Sequence, residues 1–174
     1  MNGSLYGGSA TSGAVKGQVS IEVSGSSANV FGGGSGQQTA VENGTRININ
    51  PGARIAMDVY GGGEDRSVTS GGTSINLSGT APSGSVFGGG KHADVTGPVS
   101  IQSMEGSAVP AIFGGALHSG TVTSPVITIA GAVTNVYGGG YGLGTSTASP
   151  VITAAPTGRI AGQITGGAIQ GNVR

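Results

Sequence analysis

The chain contains no cysteine and no tryptophan, and only 8% of its 174 residues are charged. Without cysteine there can be no disulfide, no thiolate nucleophile and no cysteine-based zinc site. Compartment stays open on this point, since exported and cytosolic proteins alike can do without it. Seven basic residues balance seven acidic ones, so no basic stripe is present to neutralise phosphates, which argues against nucleic acid as a partner. No apolar run approaches the roughly 20 residues of a membrane-spanning helix, so membrane insertion is not expected. The opening Met1-Asn2-Gly3-Ser4 has neither the basic nor the apolar region of a signal peptide. Asn-x-Ser/Thr sequons at Asn2, Asn43 and Asn76 are what chance gives in a chain this rich in Ser and Thr.

What the chain does have is glycine, 38 residues of it, with 7 prolines. That much Gly and Pro without a period would indicate disorder. Here there is a period. Six of the seven aromatic residues stand in one frame, an aliphatic, then Phe or Tyr, then glycines: Leu5-Tyr6-Gly7-Gly8, Val30-Phe31-Gly32-Gly33, Val59-Tyr60-Gly61-Gly62, Val86-Phe87-Gly88-Gly89, Ile112-Phe113-Gly114-Gly115 and Val136-Tyr137-Gly138-Gly139. A degenerate copy, Ile164-Thr165-Gly166-Gly167, closes the series. The aromatic positions lie 25, 29, 27, 26 and 24 residues apart, and Thr165 follows after 28. Such spacing marks a solenoid, each repeat being one turn of a stack. The chain therefore reads as one domain, 1–174, with repeats around 1–19, 20–45, 46–73, 74–99, 100–125, 126–150 and 151–174.

Aligned on the aromatic, each repeat holds three β-like segments. The first alternates apolar residues: Ile21 and Val23, Ile47 and Ile49, Ile75 and Leu77, Ile101 with Ser103, Ile127 and Ile129, Ile152 and Ala154. The second carries the aromatic-glycine frame. The third centres on Val15, Val41, Val68, Val95, Val122, Thr147 and Val173. Gly, Ser, Pro and Asn clusters such as Asn50-Pro51-Gly52 separate the segments and supply turn chemistry. Glycine and β-branched residues dominate throughout, which disfavours helix. The fold class is all-β, a parallel β-helix (β-solenoid) of about six turns of three short strands, with equivalent residues stacked in columns; an antiparallel sandwich is the competing architecture.

The candidate binding site is the aromatic column Tyr6, Phe31, Tyr60, Phe87, Phe113 and Tyr137. If Val30, Val59, Val86, Ile112 and Val136 point inward, strand parity turns the rings outward, where a ladder would hold sugar rings or a partner surface. The alternative is that the rings pack at a corner for structural reasons. The glycines likewise read either as turn residues or as a face that seats a neighbouring chain. Glu22, Asn48, Asn76, Gln102, Thr128 and Thr153 form a polar column suited to hydrogen bonding along the axis.

His92 and His118 each lie five residues past a ring, as does Asp65, but in a turn of variable length, and Glu64 with Lys91 next to them reads as an ion pair. No metal site and no cofactor is assigned. A glycosidase would need two carboxylates about 5–9.5 Å apart; only Asp65 and Asp94, on adjacent turns, suggest such a pair. The expectation is a protein that is not an enzyme.

The Val-Phe/Tyr-Gly-Gly-Gly frame with its Ser/Thr/Gly-rich turn and Ile-x-Ile strand resembles the glycine-rich β-solenoid repeats of bacterial cell-surface and adhesin proteins, over nearly the whole chain. That resemblance implies a non-catalytic structural or adhesive role, a stalk or adhesin, outside a bacterial cell. Its partners would be a surface glycan or protein, or other copies of itself by end-to-end or lateral association. Two alternatives stand beside it: a self-assembling fibre subunit stacking end to end, and a polysaccharide-degrading β-helix enzyme. The chain enters its first repeat midway and departs from the frame at Thr165, as expected of an excised piece or of ends that a partner covers.

Overall fold

The structure, a computed structural model, describes residues 3–80 and 82–174; the sequon at Asn2 lies outside the described residues. The chain winds as a parallel β-solenoid in which every strand pairs with its equivalent one turn away. The isoleucine-bearing segments form a six-stranded sheet, Val19–Val23, Thr45–Ile49, Thr73–Leu77, Val99–Ser103, Pro125–Ile129 and Val151–Ala154. Its register is unbroken, running Ile21, Ile47, Ile75, Ile101, Ile127, Ile152. The alternation expected from the sequence is realised: Thr45, Ile47 and Ile49 are buried while Arg46 is exposed and Asn48 half-buried.

The aromatic-glycine frame forms the second sheet, Leu5–Tyr6, Val30–Phe31, Val59–Tyr60, Ser85–Phe87, Ala108–Phe113 and Ala132–Tyr137; the short Arg159–Ile160 and Ile164–Thr165 both pair with the last of these. A third face is made of Ser12–Val15, Gln38–Val41 and Val68–Thr69, then of Ser119–Thr123, Gly144–Ala148 and Asn172–Val173. Single bridges from Val95 to Thr69 and to Val122 join its two halves. The sequence implied three strands per turn. A fourth pairing also occurs, Ser26–Ser27 with Arg54–Ile55, at the corner leading into the second sheet.

Isoleucines of the first sheet meet Val30, Val59, Val86, Ile112 and Val136 of the second in one continuous core; these five and Ile47, Ile75, Ile101 and Ile127 stand at 0% exposure, while Ile21 and Ile152 are partly buried. Burying such a side chain contributes about 1.5–3 kcal/mol, repeated at every turn. Stacking identical side chains at the strand spacing of roughly 4.7–4.9 Å keeps the core uniform along the axis.

The third column differs from its sequence alignment at one rung. Val41 pairs with Thr69, and Val68 pairs with Ala40. Arg66 adopts a left-handed φ of 52°, after which Ser67 faces inward, Val68 outward at 41% exposure and Thr69 inward at 0%. Residue type suggested Val68 for the column; backbone parity selects Thr69.

Candidate functional site

The six rings of the proposed binding column do form a ladder. Neighbouring centroids from Tyr6 through Phe31, Tyr60, Phe87 and Phe113 to Tyr137 lie 4.6–5.2 Å apart, with ring planes within 4–10° of parallel. Each stacked pair contributes about 0.5–1.5 kcal/mol beyond its burial. The rings do leave the main core, as parity demanded, and make a separate cluster. They are not exposed. Phe31, Tyr60, Phe87 and Phe113 retain only 1, 2, 2 and 3% of their surface, so of the two readings the rings follow the packed one and form a covered spine. Only Tyr6, at 38% exposure, and the half-buried Tyr137 reach solvent at its two ends.

The cover is a column that sequence reasoning missed. Glu64, Lys91, Leu117, Tyr141 and Ile169 each donate a backbone N–H, at 2.9–3.1 Å, to the residue closing the glycine run one turn earlier: Gly34, Gly63, Gly90, Ala116 and Gly140. From there three of the side chains reach the ladder. Leu117 packs on the ring cluster, Tyr141 stands edge-on to Phe113 at 5.9 Å and 77°, and Glu64 Oε2 accepts the Tyr6 hydroxyl at 2.5 Å. Lys91 pairs with Glu64 Oε1 at 3.1 Å, the ion pair the sequence suggested. The available signal was a longer side chain four residues after the ring position in five of the repeats, at Glu64, Lys91, Leu117, Tyr141 and Ile169, whereas the runs at Gly7 and Gly32 lead into Ser9 and Ser35.

Glycine is required by close approach. None of the glycines in the aromatic frames has a positive φ. A Cβ added to Gly88 would lie 2.5 Å from the Gly114 carbonyl oxygen and 2.6 Å from Val99 Cγ1, far inside contact. The runs from Gly32 to Gly140 are buried, so they offer no seat to another chain. Thr45 and Thr73 hydroxyls lie over these glycines and donate to the carbonyls of Gly61 and Gly88 at 2.8 and 2.9 Å.

Polar side chains near the ladder serve the contact between turns. Asn29 Oδ1 accepts the N–H of Asp58, Asp58 Oδ1 that of Ser85, and Asn135 Oδ1 that of Gln163, at 3.1, 2.7 and 3.0 Å. The Tyr60 hydroxyl donates to Asp58 Oδ2 at 3.0 Å. Burial and then the Asp58 charge hold the Tyr60 hydroxyl well above the usual tyrosine range. Burial and then the Glu64 hydrogen bond push Tyr6 up to about 12. On the first sheet the expected amide ladder is present at its lower end, Asn76 donating to Asn48 at 2.7 Å and Asn48 to Glu22.

Asp65 and Asp94, the candidate acid pair, have separate engagements. Asp65 Oδ2 accepts the Gln37 amide at 3.0 Å, and Asp94 Oδ1 the backbone N–H of Thr121 at 2.7 Å. Three grooves lie along the corner between the first and second sheets. One of about 560 Å³ runs past Pro82, Val109, Pro110, Val133 and Arg159; a second, about 640 Å³, past Ala28, Ala53, Arg54, Ile55 and Met57. Glu105 in the third is the one carboxylate in any of these linings.

The histidines meet in an unanticipated way. In the backbone ladder His92 pairs with Asp65 below and with Ser119 above, one residue off the alignment that matched it to His118. Even so the two imidazoles stack, centroids 4.7 Å apart and planes 23° from parallel. Burial, then His92, then Lys91, holds His118 below the usual histidine range. Among the described residues no group of three His, Asp or Glu converges on one point.

No family model, curated protein or solved structure matches this chain. Its class is set by its own geometry, a parallel β-solenoid with a covered aromatic spine.

Proposed function

We propose that the chain is a non-catalytic structural or adhesive repeat domain of the bacterial cell surface or extracellular space, a rod that spaces or presents whatever it is joined to. One observation carries this reading: side chains able to do chemistry, Asn29, Asp58, Asp94 and Asn135, spend their oxygens on the backbone of the next turn. Together with the covered ladder they make axial cohesion the dominant use of the chain's polar and aromatic residues. In-register parallel pairing at every turn resists separation of the turns, which suits a stalk. The resemblance of the repeated frame to bacterial surface solenoids supports the extracellular setting.

Electron microscopy of the purified protein across a concentration series, with a glycan-binding screen on the same sample, tests this. Discrete short rods one solenoid wide are expected at all concentrations. Long uniform threads that grow with concentration would replace the reading by the fibre subunit. Release of oligosaccharides from a polysaccharide in the screen, lost in D65N and D94N, would replace it by the degradative enzyme.

A further inference from the structure

Among the described residues, the stacked imidazoles place two metal-competent donors together on the surface without a structural task that accounts for both. Asp58, Asp94 and Asn29 each hold a neighbouring turn, and the rings of the ladder are covered. His92 and His118 are both exposed. His92 Nδ1 lies 3.4 Å from the Ser119 hydroxyl, an interaction at the outer limit for a hydrogen bond. Their backbones are fixed: His92 N–H donates to the Glu64 carbonyl at 2.8 Å and His118 N–H to the Lys91 carbonyl at 2.9 Å.

We propose that His92 and His118 form a two-imidazole site for a borderline divalent transition cation of the zinc, copper or nickel type, with water completing its coordination. Imidazole is a preferred donor for these ions, whereas magnesium and calcium take oxygen. Tetrahedral coordination at about 2.0–2.1 Å per nitrogen places two donor atoms roughly 3.3 Å apart. Ring centroids 4.7 Å apart come within that reach when the rings turn about their side-chain torsions so that the Nε2 lone pairs converge. Both side chains are exposed, and the backbone hydrogen bonds of His92 and His118 to the adjacent turn hold their main chains in place. Pre-organisation of this sort removes much of the ordering cost that a pair of free histidines bears. Asp65, the next residue down the bridge ladder, stays with Gln37 and leaves the site to the two rings.

The test is a titration of the whole protein with zinc chloride, read by the side-chain nitrogen and proton NMR signals of both histidines. The proposal predicts that both sets of signals move together on one saturation curve at one zinc per chain. H92Q and H118Q each weaken binding more than tenfold, and H118F, which keeps a stacked ring but no donor, does the same. D65N changes the affinity less than twofold. Circular dichroism of each variant shows that the solenoid is intact. Histidine signals that move on separate curves, or zinc affinity unchanged in H92Q and H118F, would overturn it and place the cation on carboxylates elsewhere.

Discussion

Asp58 lies just before the strand that carries Tyr60, and the Tyr60 hydroxyl donates to Asp58 Oδ2 at 3.0 Å while Asp58 Oδ1 accepts the Ser85 N–H of the next turn at 2.7 Å. One carboxylate thus ties a buried ring to the adjacent coil. Removing it leaves a buried hydroxyl and a strand N–H without partners. D58A is expected to lose about 2 kcal/mol of stability, and D58N, which keeps an acceptor at Oδ1, about 1 kcal/mol. Urea midpoints of the two variants check the order; equal losses would show that the bond between turns contributes nothing.

The same pair fixes an alkaline limit. Tyr60 and Tyr6 are both held above the usual tyrosine value of 10.0 in the folded protein, Tyr6 at about 12. A group whose folded pKa is raised contributes stability that is complete below its unfolded pKa and is lost as pH rises through the folded value. Unfolding midpoints should therefore hold up to about pH 10 and decline above it, and the decline should be shallower in Y60F. Superimposable pH profiles of the two proteins would refute the assignment.

Two buried hydroxyls in the third column, those of Thr69 and Thr147, have no hydrogen-bond partner. Their column neighbours are Val41, Val95, Val122 and Val173. Valine has nearly the same shape without the unmet polar atom, whose burial costs about 1–3 kcal/mol. T69V and T147V should each stabilise the protein by about 1 kcal/mol, additively because they lie in separate halves of the face. Thermal unfolding measures this directly, and a drop in either midpoint would count against it.

Gly88 has no room for a methyl group, whereas Gly25 has nothing within 4 Å of its added Cβ and no positive φ. G88A should cost more than about 3 kcal/mol, since the obstructing atom is a backbone oxygen that cannot turn away. G25A should change stability by less than about 0.5 kcal/mol. Chemical denaturation of the pair separates steric need from glycine content as such.

The period of the aromatic frame made the solenoid legible, because stacked turns require equivalent residues to recur in register, as Ile21 through Ile152 do. Parity along Val30-Phe31 also told correctly which residue faces the core. Exposure of the rings was not legible. It depends on Glu64, Leu117 and Tyr141, whose chemical types differ from turn to turn and so leave no repeated signature. Val68 misled for a related reason: the left-handed Arg66 shifts parity by conformation, which residue type does not encode. The histidine stack was half visible, as a shared offset from the ring, while the one-residue slip of its backbone pairing belongs to turn geometry.

Six aromatic rings stack in chain order as a spine through the solenoid, covered at Phe31, Tyr60, Phe87 and Phe113. A nuclear Overhauser spectrum of the ring protons measures it most directly. Cross-peaks should link Tyr6 to Phe31, Phe31 to Tyr60, Tyr60 to Phe87, Phe87 to Phe113 and Phe113 to Tyr137, with further peaks from Phe113 to Leu117 and Tyr141. Rings that show no contact with their neighbours one turn away, or that connect in an order other than this, would contradict it.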